Sequence, residues 1–316
     1  MITVLTGGTG GAKFVQGLVK IRPATEITAI VNTGDDLIWW DLHVSPDLDS
    51  ITYALGGVLS PERGWGFAGD TFSCLERMRQ MGAPGWFQLG DRDLATHLRR
   101  TQLLGEGRSL TEATAEIVRV HGVNACILPM TDARVETRVL TDSGELSFQE
   151  YFVREHYQVS PRGVRFAGAD QADPAPGVLD AIAQAEAVLI APSNPITSIG
   201  PILAVPGIRA ALKQTLAPVV AVSPIVGGAA VSGPAGELMR TQGLPVSILG
   251  VAQAYAEFLD VLIVDKRDCG QSASVERLGI RIHCTHTIMD SDTAKAELAQ
   301  ATMRAASAPA ASETKS

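Results

Sequence analysis

The sequence predicts an α/β protein: a Rossmann-like, doubly wound, mostly parallel sheet with a small antiparallel hairpin insertion. Three observations predict it. Short apolar runs alternate with helix-length segments, the pattern of a parallel sheet with helices on its faces. The first run, Ile2 to Thr6, leads directly into a glycine turn, Gly7-Gly8-Thr9-Gly10-Gly11. Polar or glycine-rich loops then follow several later runs, as they do where ligands bind at the carboxyl edge of an open α/β sheet.

The elements follow in order. Ile2 to Thr6 reads as the first strand and Ala12 to Lys20 as the first helix. Glu26 to Val31 reads as the second strand, ending at Asn32-Thr33-Gly34-Asp35-Asp36. Asp49 to Leu55 is a short helix stopped by Gly56-Gly57. Thr71 to Met81 is another, with Asp70 as its N-cap and Gly82 past its end. Ser109-Leu110-Thr111-Glu112 matches a capping box opening a helix towards Val120. Glu136 to Thr141 and Glu145 to Tyr151 flank Asp142-Ser143-Gly144, a hairpin signal, and place an insertion at about 134–168. A helix at Pro176 to Ala185 and strands at Ala187 to Ala191, Val219 to Val222 and Val261 to Val264 resume the alternation. Residues 291–306 form a last helix, so 1–306 reads as one domain, with 307–316 a disordered tail.

The 316 residues are 46% hydrophobic and 19% charged, a globular composition long enough to bury a sizeable core. A net charge of −8 argues against general nucleic-acid binding, which needs a basic surface. A local phosphate site remains open, since backbone N–H groups and a metal ion can build one. Cys74, Cys126, Cys269 and Cys284 are far apart, without a CxxC pair, and read as buried or partly buried free thiols. The chain opens on a strand-like run rather than a secretory signal, and no apolar run approaches the ~20 residues of a membrane span. A cytoplasmic protein is expected.

Strand, glycine turn and helix together aim backbone N–H groups and a helix dipole at an anion. A dinucleotide GxGxxG starting at Gly8 fails at Lys13, where its last glycine belongs. A Walker A starting at Gly7 has its lysine, Lys13, but Phe14 replaces the magnesium-binding hydroxyl. The turn also reads as packing for the first helix.

Asp35 and Asp36 end the second strand, and Asp47 and Asp49 follow within Ser45-Pro46-Asp47-Leu48-Asp49. Carboxylates at loop ends suit Mg²⁺, which takes one or two of them plus substrate phosphates. For Asp35 and Asp49 the metal reading leads; Asp36 and Asp47 read equally well as turn or cap residues. Asp91, Arg92 and Asp93 precede His97, and on a helix Asp93 and His97 share a face. Ser193 and Asn194 follow an apolar strand and offer donors and acceptors to a polar ligand; Ser223 to Gly228 end the next strand.

Taken together, Gly7 to Lys13, Asn32 to Asp36, Ser45 to Asp49, Gly69-Asp70-Thr71-Phe72, Leu89 to Asp93, Ala191 to Pro195 and Ala221 to Ile225 resemble the 2-phospho-L-lactate transferase family, including its phosphoenolpyruvate transferase branch. The resemblance runs from Met1 to about Met289. It implies a step in making the deazaflavin coenzyme F420. The terminal ribityl hydroxyl of Fo (7,8-didemethyl-8-hydroxy-5-deazariboflavin) attacks the phosphorus of a guanosine diphosphate-linked three-carbon acid, and GMP leaves. Mg²⁺ and a homodimer are implied too. Asp35 and Asp49 resemble the family's acidic metal and Fo-contact positions. Gly8, Thr9, Gly10, Gly11 and Lys13 suit the diphosphate; Asn32, Asp91, His97, Ser193 and Asn194 are further substrate-binding candidates. Gln88 stands where some relatives carry a basic Fo contact. The Trp39-Trp40 pair reads as a crevice wall, ordinary core or a dimer contact.

Two rivals belong to other classes. A gluconeogenesis-factor-like nucleotide-sugar regulator shares the opening turn, but the Ser-Pro-Asp-Leu-Asp and Gly-Asp-Arg-Asp segments favour the transferase. A nicotinamide-dependent oxidoreductase is opposed by the broken GxGxxG. The choice among lactate, enolpyruvate and glycerate is not written in any loop.

Overall fold

A computed structural model describes residues 1–308. Its central sheet has seven strands, all paired in parallel. Their spatial order is Arg281–Thr285, Val261–Asp265, Val219–Val222, Ala187–Ile190, Ile2–Thr6, Ile27–Val31, Cys126–Pro129. The chain winds one way from Ile2–Thr6 and the other way from Ala187–Ile190. The switch point therefore lies between those two strands, and a crevice opens there.

Alternation along each strand explains the two-sided core. Leu5, Ile30, Val188, Ile190, Leu262 and Val264 face one apolar cluster. Ile2, Val4, Ala29, Val31, Leu189 and Ile263 face the other. Thr3, buried on the first face, satisfies its hydroxyl by donating to Ala181 O at 2.6 Å.

Five of the seven strands match the predicted runs. The two missed, Cys126–Pro129 and Arg281–Thr285, are the edges. The first begins at exposed Cys126 and ends in Pro129, and the second carries Arg281 and His283 at partly exposed positions, so neither reads as an unbroken buried run. The predicted hairpin exists as Glu136–Thr141 paired with Gly144–Ser147, though its second strand stops at Ser147 and a helical turn, not strand, carries the chain through Tyr151; Pro161–Ala167 makes it a three-stranded antiparallel sheet. A second, unpredicted hairpin pairs Leu37–Trp39 with Leu42–Val44. It carries Trp39, which packs with Val44, Phe87 and Leu89 in a small satellite core. The last helix spans Asp292–Ser307, so Ser307 is helical rather than the start of the tail. Residues 309–316 of the predicted disordered tail lie outside the described residues.

Three corrections concern local chemistry. Cys269 and Cys284 are joined by a disulfide, with Cα atoms 6.0 Å apart. Parallel pairing of Val264 with Cys284 brings the turn after Asp265 over the edge strand, a proximity the linear spacing hides. Cys74 and Cys126 are free, and Cys126 is exposed. The two aspartates flanking the Ser73–Gln80 helix trade places. Asp70 does not cap it; its carboxylate accepts from Arg92 N at 2.8 Å and Asp93 N at 3.2 Å, at the start of the Asp93–Gly105 helix. Asp91 instead accepts from Ser73 N at 3.0 Å and Cys74 N at 2.9 Å. Finally, the first helix starts within the glycine run, at Gly8 rather than Ala12.

That last shift gives the glycines a second purpose. A Cβ on Gly10 would lie 2.6 Å from the carbonyl oxygen of Pro192, so the helix can approach this loop only without a side chain there. Gly10→Ala is therefore expected to lower stability by about 1–3 kcal/mol, read from thermal melts. An unchanged melting temperature would show that the two segments part freely.

Candidate functional site

The loops after five strands converge on one cavity of about 670 Å³. The glycine turn contributes Gly7 to Gly10 and Lys13, and the second strand's loop contributes Asp35. The Pro46–Leu55 helix adds Asp47, Asp49 and Tyr53. Ser193 and Asn194, Ser223 and Pro224, and Thr287 to Asp290 complete the sheet edge. The insertion supplies a further wall through Phe148, Gln149 and Phe152. Gln149 Nε2 donates to the backbone oxygen of Asp35 at 3.2 Å, tying that wall to the acidic loop.

The carboxylates divide into two groups. Asp35, Asp36 and Asp47 belong to the first. Burial, then Asp47 and Asp36, hold the Asp35 carboxyl well above the usual range. Its Oδ1 is buried with no hydrogen-bond partner. Burial also pushes Asp47 up to about 6, against the bonds it accepts. Asp47 Oδ1 accepts from Gly8 N at 2.8 Å and Oδ2 from Asn32 Nδ2 at 2.9 Å. The protein's own carboxylate thus occupies one N–H of the glycine turn. Thr9 and Gly10 carry the next N–H groups, which by helix geometry have no intrahelical acceptor. Burial raises Asp36 as well, opposed by His43 Nε2 at 2.9 Å and the Ser45 hydroxyl at 2.7 Å.

Asp49 belongs to the second group and is differently held. Both its oxygens accept from Arg100, one of them at 3.1 Å from Nη1. Arg100 is 1% exposed, and Asp49 keeps it protonated despite burial. His97 stands between carboxylates, its Nδ1 at 3.6 Å from Asp49 and its Nε2 at 3.3 Å from Asp93. Tyr53 donates its hydroxyl to Asp93 at 2.7 Å. Burial works against the Asp93 charge, but His97 and Tyr53 outweigh it and hold this carboxyl below its usual range.

A test for Mg²⁺ follows from these atoms. Asp35 fits a cation: an orphaned buried oxygen, beside two more carboxylates, lacks positive charge. Asp49, expected as the other ligand, does not fit as arranged, because Arg100 already engages both oxygens. Among the described residues no three His, Cys, Asp or Glu side chains are arranged to hold a metal ion between them, so the three carboxylates do not form a complete protein cage.

Other candidates are placed as follows. Gly8, Thr9, Gly10, Lys13, Gln88, His97, Ser193 and Asn194 line the cavity, whereas Gly11, Asn32 and Asp91 do not. Asn32 is fully buried and committed: besides Asp47 it donates to Thr197 O at 3.3 Å and accepts from Gly34 N at 2.8 Å. Ser193 donates to Gly7 O at 2.7 Å, and Asn194 Oδ1 accepts from Ile196 N at 3.0 Å, so both hydrogen-bond locally at the cavity wall. Asp91 caps the Ser73–Gln80 helix, and the Thr71 hydroxyl, then the amides of Cys74 and Ser73, lower its pKa. Asp91→Ala should lower the melting temperature slightly and leave ligand affinity unchanged; weakened ligand binding would return it to the site. Trp39 and Trp40 do not line the cavity. The insertion's wall was missed. The Phe148 and Phe152 spacing of four residues was a usable signal, since such a pair shares a face on a helical turn.

A doubly wound sheet whose glycine turn and buried carboxylates meet in one cavity at its carboxyl edge is a Rossmann-like protein built to hold a small polar ligand. Comparison makes this specific. Residues 2–307 match the family described as 2-phospho-L-lactate transferase CofD, and the chain belongs to that family. A 2-phospho-L-lactate transferase of Methanosarcina acetivorans is 46% identical over 297 residues, covering 94% of this chain and 96% of that one. A phosphoenolpyruvate transferase of Streptomyces griseus is 44% identical over 305 residues, covering 95% and 96%. A solved Bacillus halodurans protein of the upf0052 family superposes with a TM-score of 0.63, covering 96% of this chain and 98% of that one. At 17% identity it shows a shared fold alone.

Proposed function

We propose that this transferase moves a phospho-three-carbon-acid group, 2-phospholactyl or enolpyruvyl phosphate, from its guanosine diphosphate donor to the ribityl hydroxyl of Fo. GMP leaves, in a step of coenzyme F420 biosynthesis. The observation that carries the reading is the convergence of the glycine turn and the Asp35 loop on the cavity of a chain in this family. The regulator alternative is not favoured, since full-length relatives at over 40% identity are named as transferases.

Such a transfer needs positioning and charge neutralisation more than a covalent intermediate. The N–H groups of Thr9 and Gly10 and the Lys13 ammonium would receive the diphosphate. Asp35 would hold Mg²⁺, and the ion would supply positive charge to neutralise the substrate's phosphates. Asp49, oriented by Arg100, would accept a hydrogen bond from the Fo hydroxyl and align it for in-line attack. Gln88 would make a neutral contact to Fo. Asn32 supports the site through Asp47 without touching substrate.

No helix among the described residues is long and apolar enough to cross a membrane. A cytoplasmic homodimer, built from one domain per chain, completes the proposal, supported by the family resemblance. The test is incubation with Fo and each guanylylated acid in turn. GMP release and a product of the corresponding mass are expected for lactate or enolpyruvate. Absence of GMP release with every donor would overturn the reading.

A further inference from the structure

The segment from Ser60 to Gly69 is a closed loop that brings Trp65 and Gly66 to the cavity wall. Ser60 N donates to Gly66 O and Gly64 N to Ser60 O, both at 2.9 Å, while Leu59 bridges Phe67. Gly64 and Gly66 hold φ of +73° and +63°, conformations that favour glycine, and so fix the residue between them, Trp65. Trp65 lines the cavity. Its ring is held by two neighbours: the Arg63 guanidinium lies over it at 5.2 Å from its centroid, and Phe72 meets it edge-on at 6.4 Å. Arg63 is itself held by Nη2 donating to Phe67 O at 2.6 Å. A Cβ on Gly64 would lie 3.6 Å from the Thr9 methyl, and one on Gly66 would lie 3.8 Å from Asp93 Oδ2. Trp65 therefore stands between the glycine turn and the carboxylate–histidine network.

The other three tryptophans have a different task. Trp39 packs on Trp40 at 5.6 Å and on Trp86 at 4.8 Å, around the satellite core. Trp65 alone among the four lines the cavity, as a large, pre-positioned apolar ring. Stacking on such a ring suits a flat heteroaromatic ligand. Both substrates of the proposed reaction carry one, guanine and deazaflavin. Asp93, which a Cβ on Gly66 would approach, connects through His97 to Asp49, the residue that would align the acceptor hydroxyl.

Resting on the transferase reading above, we propose that Trp65 is the stacking platform for the deazaflavin ring of the acceptor and a determinant of acceptor specificity. Fo and GDP are titrated separately against wild-type protein, Trp65→Ala and Trp65→Phe, with circular dichroism to confirm folding. Trp65→Ala should weaken Fo by about tenfold or more, with GDP changed by less than about twofold, and Trp65→Phe should restore most of the loss. Fo should also quench tryptophan emission more in wild type than in Trp65→Phe, a readout that stands if Trp65→Ala fails to fold. Weakened GDP with unchanged Fo would overturn the proposal by assigning the ring to guanine. Unchanged affinities for both, or equal quenching, would overturn it in favour of a packing role. Failure of wild type to bind either ligand would overturn it together with the transferase reading.

Discussion

Asp35→Asn is expected to lower turnover with Fo and a guanylylated donor by about 10²–10³-fold, the scale of removing one charge-stabilising group from a reacting centre. The melting temperature should meanwhile hold or rise. The two halves of this expectation have one cause. Asp35 is 5% exposed, its Oδ1 has no partner, and Asp47 and Asp36 repel its charge. Such a carboxylate opposes the metal-free fold, and an amide of the same shape removes the repulsion. Asp47 gives the accompanying pH dependence. Its pKa rises from 3.8 unfolded to about 6 folded, so the folded state binds more protons between those values. Its contribution to stability is therefore full below about pH 4 and is lost as pH rises through about 6. Mg²⁺ should raise the wild-type melting temperature more at pH 7 than at pH 5, and should do less for Asp35→Asn. Near-normal turnover in a folded Asp35→Asn protein, or equal metal stabilisation of both proteins, would remove Asp35 from the metal site.

Legibility in the sequence followed burial on both faces. Strands such as Ala187–Ile190 and Val219–Val222 are fully buried and announce themselves as unbroken apolar runs. Edge strands lack that constraint, and losing Arg281–Thr285 from the reading also hid the cavity wall that follows it, Thr287 to Asp290. Side-chain commitments were least legible. Asp47 and Asp49 sit two residues apart on one helix, yet one carboxylate faces the glycine turn and the other faces Arg100. Nothing local distinguishes them, because their partners lie 39 and 51 residues away along the chain. Asp70 and Asp91 show the same limit: each looked like a cap or ligand for its own segment, and each serves the helix beginning after the other. The sequence therefore located the acidic loops well, but not which atoms in them remain free.

Asp49→Asn is expected to destabilise the protein by about 3–5 kcal/mol, the range for leaving one member of a buried ion pair without its partner. Arg100 is the larger liability in that variant. It is 1% exposed, its Nε is already without a hydrogen-bond partner, and Asp49 is the leading cause that keeps it charged against burial. The loss should appear as a fall of about 10 °C in melting temperature, at ~2–4 °C per kcal/mol for a chain somewhat smaller than this one. Activity must then be read at a temperature where the variant is folded, so that instability does not pass for a catalytic defect. The double variant Asp49→Asn/Arg100→Gln separates the two effects, because it removes the stranded charge along with its partner. It should recover a substantial part of the stability while turnover stays low, if Asp49 aligns the Fo hydroxyl. Recovery of both would make the pair a structural brace with no part in the chemistry. A single Asp49→Asn protein that melts like wild type would show instead that water reaches Arg100, and that the pair is not the closed contact seen between the Pro46–Leu55 and Asp93–Gly105 helices.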